Sequence, residues 1–172
     1  PRRSSRGFGG KNRAGETEPA LIPSISFLTF GCKVNQYESD WMARQLANGY
    51  SSSTGEEKRP DLVIVNTCTV TAEADRKNLQ AIHRSKRRYP DAKVLVMGCH
   101  TQLNPEVYVG LADGIVGNGE KLDIVHYAER VLAEPVFSEV NRSYWLRSPL
   151  RMCLEGRFGL SRAFALIQDG CT

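Results

Sequence analysis

The sequence has no long hydrophobic run. Its apolar stretches, such as Leu62-Val63-Ile64-Val65, fall far short of the roughly 20 residues a helix needs to cross a bilayer. No basic segment followed by an apolar one opens the chain, so no secretory signal is read there. Cysteine is sparse: 5 in 172 residues is too few for a disulfide scaffold. Reduced thiols in a cytoplasmic compartment are expected. Neither sign of charge dominates, since 23 Lys and Arg face 19 Asp and Glu for a net of +4. With 41% apolar and 24% charged residues, the composition excludes a disordered chain, a collagen and a coiled coil, and can build a core. The length suits one domain, or one domain plus part of another.

The charge is unevenly spread. Residues 1–20 carry Arg2, Arg3, Arg6, Lys11 and Arg13 against Glu16 and Glu18, a balance of +3. This stretch is rich in Arg, Ser and Gly, and residues 1–23 are expected to form a disordered basic tail. The first residue is Pro rather than Met, so the start is expected to be incomplete.

From Ser24 the texture becomes periodic. Ser26-Phe27-Leu28-Thr29-Phe30 is a β-rich run ending at Gly31-Cys32. Asn35 and Glu38 have capping-box spacing before a helix over Gln36 to Asn48, which Gly49 ends. Residues 51–60 are a polar loop. Leu62 to Val65 and Val94 to Met97 are continuous apolar runs, the pattern of strands buried on both faces. They end at Asn66-Thr67-Cys68 and Gly98-Cys99, and a helix over Ala72 to Tyr89 lies between them with Leu79 and Ile82 inward. A short helix over Glu106 to Leu111, a strand at Gly114 to Val116 and a helix over Glu120 to Leu132 follow. The expected fold is α/β: an open, mostly parallel sheet with helices on both faces, a flavodoxin- or Rossmann-like three-layer arrangement over residues 24–134. Beyond Pro135 the period is lost, and residues 135–161 read as a linker. Ala163 to Ile167 then reads as the first strand of a second, truncated domain over residues 162–172.

Cys32, Cys68 and Cys99 each fall at the C-terminal end of a predicted strand. That edge is where open α/β sheets bind ligands, and nearby helix N-termini favour thiolates. Any one of these cysteines reads equally as a small buried apolar residue. Three at one topological position point instead to a soft metal centre, an iron–sulfur cluster or zinc. His100 adjoins Cys99 and is expected to point elsewhere, while His83 and His126 lie within helices, so no histidine completes a zinc set. Three thiolates on a four-iron cluster leave one iron open to an outside ligand.

Other patterns are weaker. Gly114 and Gly119 with Lys121 lack the order of a phosphate loop and read as a strand-to-helix turn. Arg76, Lys77, Arg84, Lys86, Arg87 and Arg88 make one helix face basic, which suits phosphates or simply solvent. Arg142, Arg147, Arg151, Arg157 and Arg162, interleaved with Tyr144, Trp145 and Phe158, suit RNA or a packed linker. Cys153 fits no spacing pattern.

Gly31-Cys32-Lys33-Val34-Asn35-Gln36-Tyr37-Glu38-Ser39, Asn66-Thr67-Cys68-Thr69-Val70-Thr71 and Met97-Gly98-Cys99 together resemble the N-terminal domain of the methylthiotransferases, which are radical S-adenosylmethionine enzymes. Arg162 to Cys171 resembles the entry into their radical domain, so the likeness covers about residues 24 to 172. Lys33 to Ser39 is most similar to the branch acting on N6-threonylcarbamoyladenosine in tRNA, and less to the isopentenyladenosine and ribosomal-protein branches.

The resemblance implies that Cys32, Cys68 and Cys99 bind a 4Fe-4S cluster carrying the sulfur to be transferred. It implies that Cys171 is the first ligand of a second cluster, which cleaves S-adenosylmethionine. The other two ligands of that cluster and the RNA-binding module do not occur in the chain. The chain is therefore expected to be a fragment, inactive alone, of a monomeric cytoplasmic enzyme whose partner is the tRNA anticodon stem-loop and not a membrane. The alternative of another class is a flavodoxin-like binding module with packed cysteines.

Overall fold

The computed structural model describes residues 22–52, 59–69 and 72–141. Cys153, Cys171, the strand expected at 163–167 and residues 1–21 of the expected basic tail lie outside them.

The apolar runs form a six-stranded sheet: β1 (Ser24–Thr29), β2 (Ser51–Ser52), β3 (Leu62–Thr67), β4 (Lys93–Gly98), β5 (Gly114–Val116) and β6 (Phe137–Glu139). The order is β2-β1-β3-β4-β5-β6, and every pairing is parallel. β3 is buried along its whole length, and β4 from Val94 onward. That explains their unbroken apolar character, because both faces of these central strands are covered.

On one face pack α1 (Lys33–Leu46), through Tyr37, Trp41, Met42 and Leu46, and α4 (Ile124–Ala133), through Ile124, Tyr127, Ala128 and Val131. They meet Ile25, Leu62, Ile64, Leu95, Met97 and Val116. On the other face α2 (Ala72–Arg88) lays Ile82 and Leu79 against Val63, Val65, Val94, Val96 and Ile115. The three-layer α/β arrangement expected from the alternation of runs is the arrangement present. Among the described residues no helix is long and apolar enough to cross a membrane.

Several local expectations are corrected. Asn35 does not cap a helix: α1 begins at Lys33, with Cys32 as an extended N-cap that makes no side-chain capping bond. Asn35 and Glu38 lie inside the helix and are buried, with long-range partners that outcompete a local box. Helix α1 ends at Leu46 rather than Asn48, and the Gly49 and Tyr50 N–H groups donate back to the Leu46 carbonyl. Cys99 does not end a strand but opens α3 (Cys99–Leu103), a short helix that the sequence pattern missed. The helix expected over Glu106 to Leu111 is a single 3-10 turn, Pro105–Tyr108. The one expected over Glu120 to Leu132 is a 3-10 segment, Gly119–Asp123, running into α4. Strand β2 falls in the span read as a polar loop, and β6 in the span read as a linker. Both are short edge strands, with two and three residues, below the length at which periodicity is visible.

Candidate functional site

The strand order reverses between β1 and β3, since β2 lies on one side of β1 and β3 on the other. At such a switch point the two connections leave in opposite directions and open a crevice beyond the strand ends. Cys32 follows β1, Cys68 follows β3 directly, and Cys99 follows β4 directly. These three strands are neighbours in the sheet, with tips about 4.8 Å apart. The fold thus brings the three sequence-predicted cysteines to one rim. Cys32 is exposed, Cys99 partly buried and Cys68 buried.

Glycine makes the closest approach on this rim possible. Gly31 has φ +91°, and a Cβ there would overlap the Sγ and Cβ of Cys68. The Cys68 side chain therefore rests on the peptide immediately before Cys32. At the next tip, Gly98 has φ +113° and sits against the Thr67 backbone.

Buried polar side chains tie the tips together. Asn35 Nδ2 donates to the Phe30 and Thr67 carbonyls at 2.9 and 2.8 Å, joining the ends of β1 and β3. Asn66 Nδ2 donates to the Asn35 carbonyl and to Ser39 Oγ. Thr67 Oγ1 donates to the Met97 carbonyl at 2.8 Å, joining β3 to β4. Asn78 Nδ2, from α2, donates to the Cys68 carbonyl at 3.1 Å. Each buried amide or hydroxyl costs free energy unless it is bonded, so these contacts give the loops one arrangement rather than many.

His100 engages neighbours other than the cysteines. Its Nδ1 shares a 2.8 Å hydrogen bond with the Tyr108 hydroxyl, and its Nε2 lies 3.6 Å from Asp75. Lys121, read from sequence as part of a simple turn, has a larger role. Its side chain is 0% exposed and its Nζ lies 2.5 Å from Oε2 of Glu38, which is 3% exposed. Nothing in the local pattern announces this pair, because 83 residues separate its members. Gly114 belongs to β5 itself, so no phosphate loop is built here.

The thiols sense one another. Burial pushes the Cys99 thiol up to about 11, Lys121 pulls it down, and Glu38, Cys68 and Cys32 push it up. In the metal-free protein Cys99 is therefore protonated near neutral pH. Iodoacetamide at pH 8 is expected to label the exposed Cys32 first, with Cys99 lagging well behind it. Peptide mass mapping over time checks this, and equal rates for the two would contradict the burial of Cys99.

Among the described residues no three Cys, His, Asp or Glu side chains are arranged to hold a single metal ion. A four-iron cluster makes a different demand. Each of its thiolates binds a separate iron, so the sulfurs stand further apart than ligands of one ion. Cys32, Cys68 and Cys99, which follow successive neighbouring strands, are the residues that would hold such a cluster.

Fold and rim together define an open parallel α/β domain with a three-thiol edge at its switch point. The chain belongs to the uncharacterized protein family UPF0004, whose pattern matches residues 24–116. It is 34% identical over 155 residues to threonylcarbamoyladenosine tRNA methylthiotransferase MtaB of Aquifex aeolicus, covering 86% of this chain and 37% of the relative. It is 35% identical over 158 residues to the protein of the same name from Thermotoga maritima, covering 87% of this chain and 34% of that one. To tRNA-2-methylthio-N(6)-dimethylallyladenosine synthase of Chlorobium phaeobacteroides it is 40% identical over 98 residues, covering 55% of this chain and 22% of the relative. The chain thus spans about a third of the length of the first of these relatives.

Proposed function

We propose that residues 24–134 are the iron–sulfur, sulfur-donor domain of a tRNA methylthiotransferase. The observation that carries this reading is the convergence of Cys32, Cys68 and Cys99 on the tips of three adjacent parallel strands. In this reading the three thiolates hold a 4Fe-4S cluster. When bound, such a cluster supplies an iron with an open coordination position where a sulfur species can be held for transfer.

The chain's own residues set the stage. Gly31 lets Cys68 approach the Cys32 loop, and Asn35, Thr67 and Asn78 hold the loop backbones against the pull of a rigid ligand. Burial beside Cys99 limits water at that corner. In the same reading Cys171 is a ligand of a second cluster, which uses S-adenosylmethionine.

The substrate in this reading is N6-threonylcarbamoyladenosine beside the anticodon of a cytoplasmic tRNA. Coverage supports that branch: the Aquifex aeolicus and Thermotoga maritima relatives align over 86% and 87% of the chain, against 55% for the Chlorobium phaeobacteroides relative.

Anaerobic reconstitution with iron and sulfide tests the reading. The protein is expected to turn brown, absorb broadly near ~400 nm and retain about four irons per chain. The triple variant Cys32→Ala, Cys68→Ala, Cys99→Ala is expected to retain none at this site. If it takes up as much iron and sulfide as the parent, the assignment is wrong.

A further inference from the structure

Helix α2 and strand β1 enclose a groove that the cysteine site does not use. Side chains alternate along β1. Ile25 and Phe27 join the core under α1, whereas Leu28, and Phe30 just past the strand, face the α2 layer. There they stay only half-buried. The result is a groove of about 440 Å³. Leu28, Phe30 and Tyr89 give it apolar surface, and Lys77, Arg84 and Arg88 of α2 line it as well. Phe30 lies two residues before Cys32, so one end of the groove starts beside the cysteine rim.

Its charge is not balanced by neighbours. Glu73 pairs with Arg76 and Lys77, and Asp113 pairs with Lys86 and Lys93. Among the described residues Arg84, Arg87 and Arg88 pair with no carboxylate. Like charges three and four residues apart weaken a helix. The macrodipole offsets this for Arg87 and Arg88 in the last turn, and Arg84 lies outside that turn.

Unpaired cations beside a recessed apolar floor suit an anionic partner that also carries flat apolar groups. Single-stranded RNA has both, with phosphates for arginine and base faces for aromatic side chains. Arg84 and Arg88 are one helical turn apart, about 6 Å along the axis, which matches successive phosphates of an extended strand. The Arg88 guanidinium lies over the Tyr89 ring, 5.3 Å from its centroid, a stack that a base can extend. A duplex is too wide for this groove, and a lipid surface calls for protruding apolar side chains rather than recessed ones.

We infer that the groove between α2 and β1 is a docking surface for single-stranded RNA, with Arg84 and Arg88 on the phosphates and Phe30 and Tyr89 against the bases. It holds the strand that flanks the nucleotide presented at the rim, and this last point rests on the RNA-modifying reading above.

The test uses the metal-free chain and a fluorescent single-stranded oligoribonucleotide of about ten nucleotides. Fluorescence anisotropy is followed over a series of salt concentrations, after thermal melts have shown that each variant folds. Arg84→Gln with Arg88→Gln should weaken binding about tenfold and flatten the dependence of log affinity on log salt by about 0.7 per arginine. Arg2→Gln with Arg3→Gln removes the same charge outside the groove and should change affinity less than about twofold. Phe30→Leu keeps the floor apolar and should weaken binding about fivefold with the salt slope unchanged, because only stacking is lost.

Equal losses for the two arginine pairs, or none for the groove pair, overturn the inference. Tighter binding of a polyglutamate peptide, lost in the groove pair, overturns the RNA assignment in favour of an acidic protein partner. Because no iron is present, these outcomes are separate from the cluster reading, which stands or falls on iron uptake.

Discussion

Glu38→Ala is expected to lower the unfolding free energy by about 3–5 kcal/mol, because it strands a charged ammonium in the interior. Lys121 is 0% exposed and sits in the 3-10 segment Gly119–Asp123, paired with Glu38 of α1. Whole domains are stable by only about 5–15 kcal/mol, so this one change puts the fold near its limit. Urea titration measures the effect as a fall in midpoint at constant slope. The paired replacement Glu38→Met with Lys121→Met should recover most of the loss, since it removes the charge together with its partner. A Glu38→Ala midpoint equal to that of the parent would mean that the pair is solvated in solution.

Gly98→Ala is the second large effect, and its cause is steric. With φ +113° and ψ −164°, Gly98 occupies a region essentially reserved for glycine, and alanine there costs about 1–3 kcal/mol from backbone conformation alone. The added Cβ would also stand 2.5 Å from the Thr67 carbonyl oxygen and 2.8 Å from Asn66 Oδ1. Those neighbours are a central strand and a buried side chain, so neither can yield cheaply. The expected result is a large drop in melting temperature together with lost iron uptake, since Cys99 is the next residue. Gly49→Ala is the control: its φ is not positive and a Cβ there meets nothing within 4 Å, so it should melt like the parent. Equal melting of Gly98→Ala and Gly49→Ala would refute the geometry of the β4 tip.

The strand assignments were legible because β3 and β4 are buried on both faces, so their apolar runs carry no interruption. The edge strands β2 and β6 were not, being too short to show a period and paired on one side only. The capping-box reading failed for a related reason. Asn35 and Glu38 have local spacing that suits a helix start, yet their partners are the Thr67 carbonyl and Lys121, 32 and 83 residues away. Side-chain type and spacing report what a residue can do nearby, and say nothing of a distant partner that outcompetes it.

For the candidate site the division is similar. The linear order of residues was enough to determine an alternating α/β chain and to mark Cys32, Cys68 and Cys99 as equivalent strand-end positions, because strand ends are set by local apolar runs and glycines. Only the folded sheet decided that β1, β3 and β4 are neighbours, that Gly31 packs under Cys68, and that Lys121 meets Glu38. Strand order and buried charge pairing arise from contacts between segments far apart in the chain, and no short window of residues contains them.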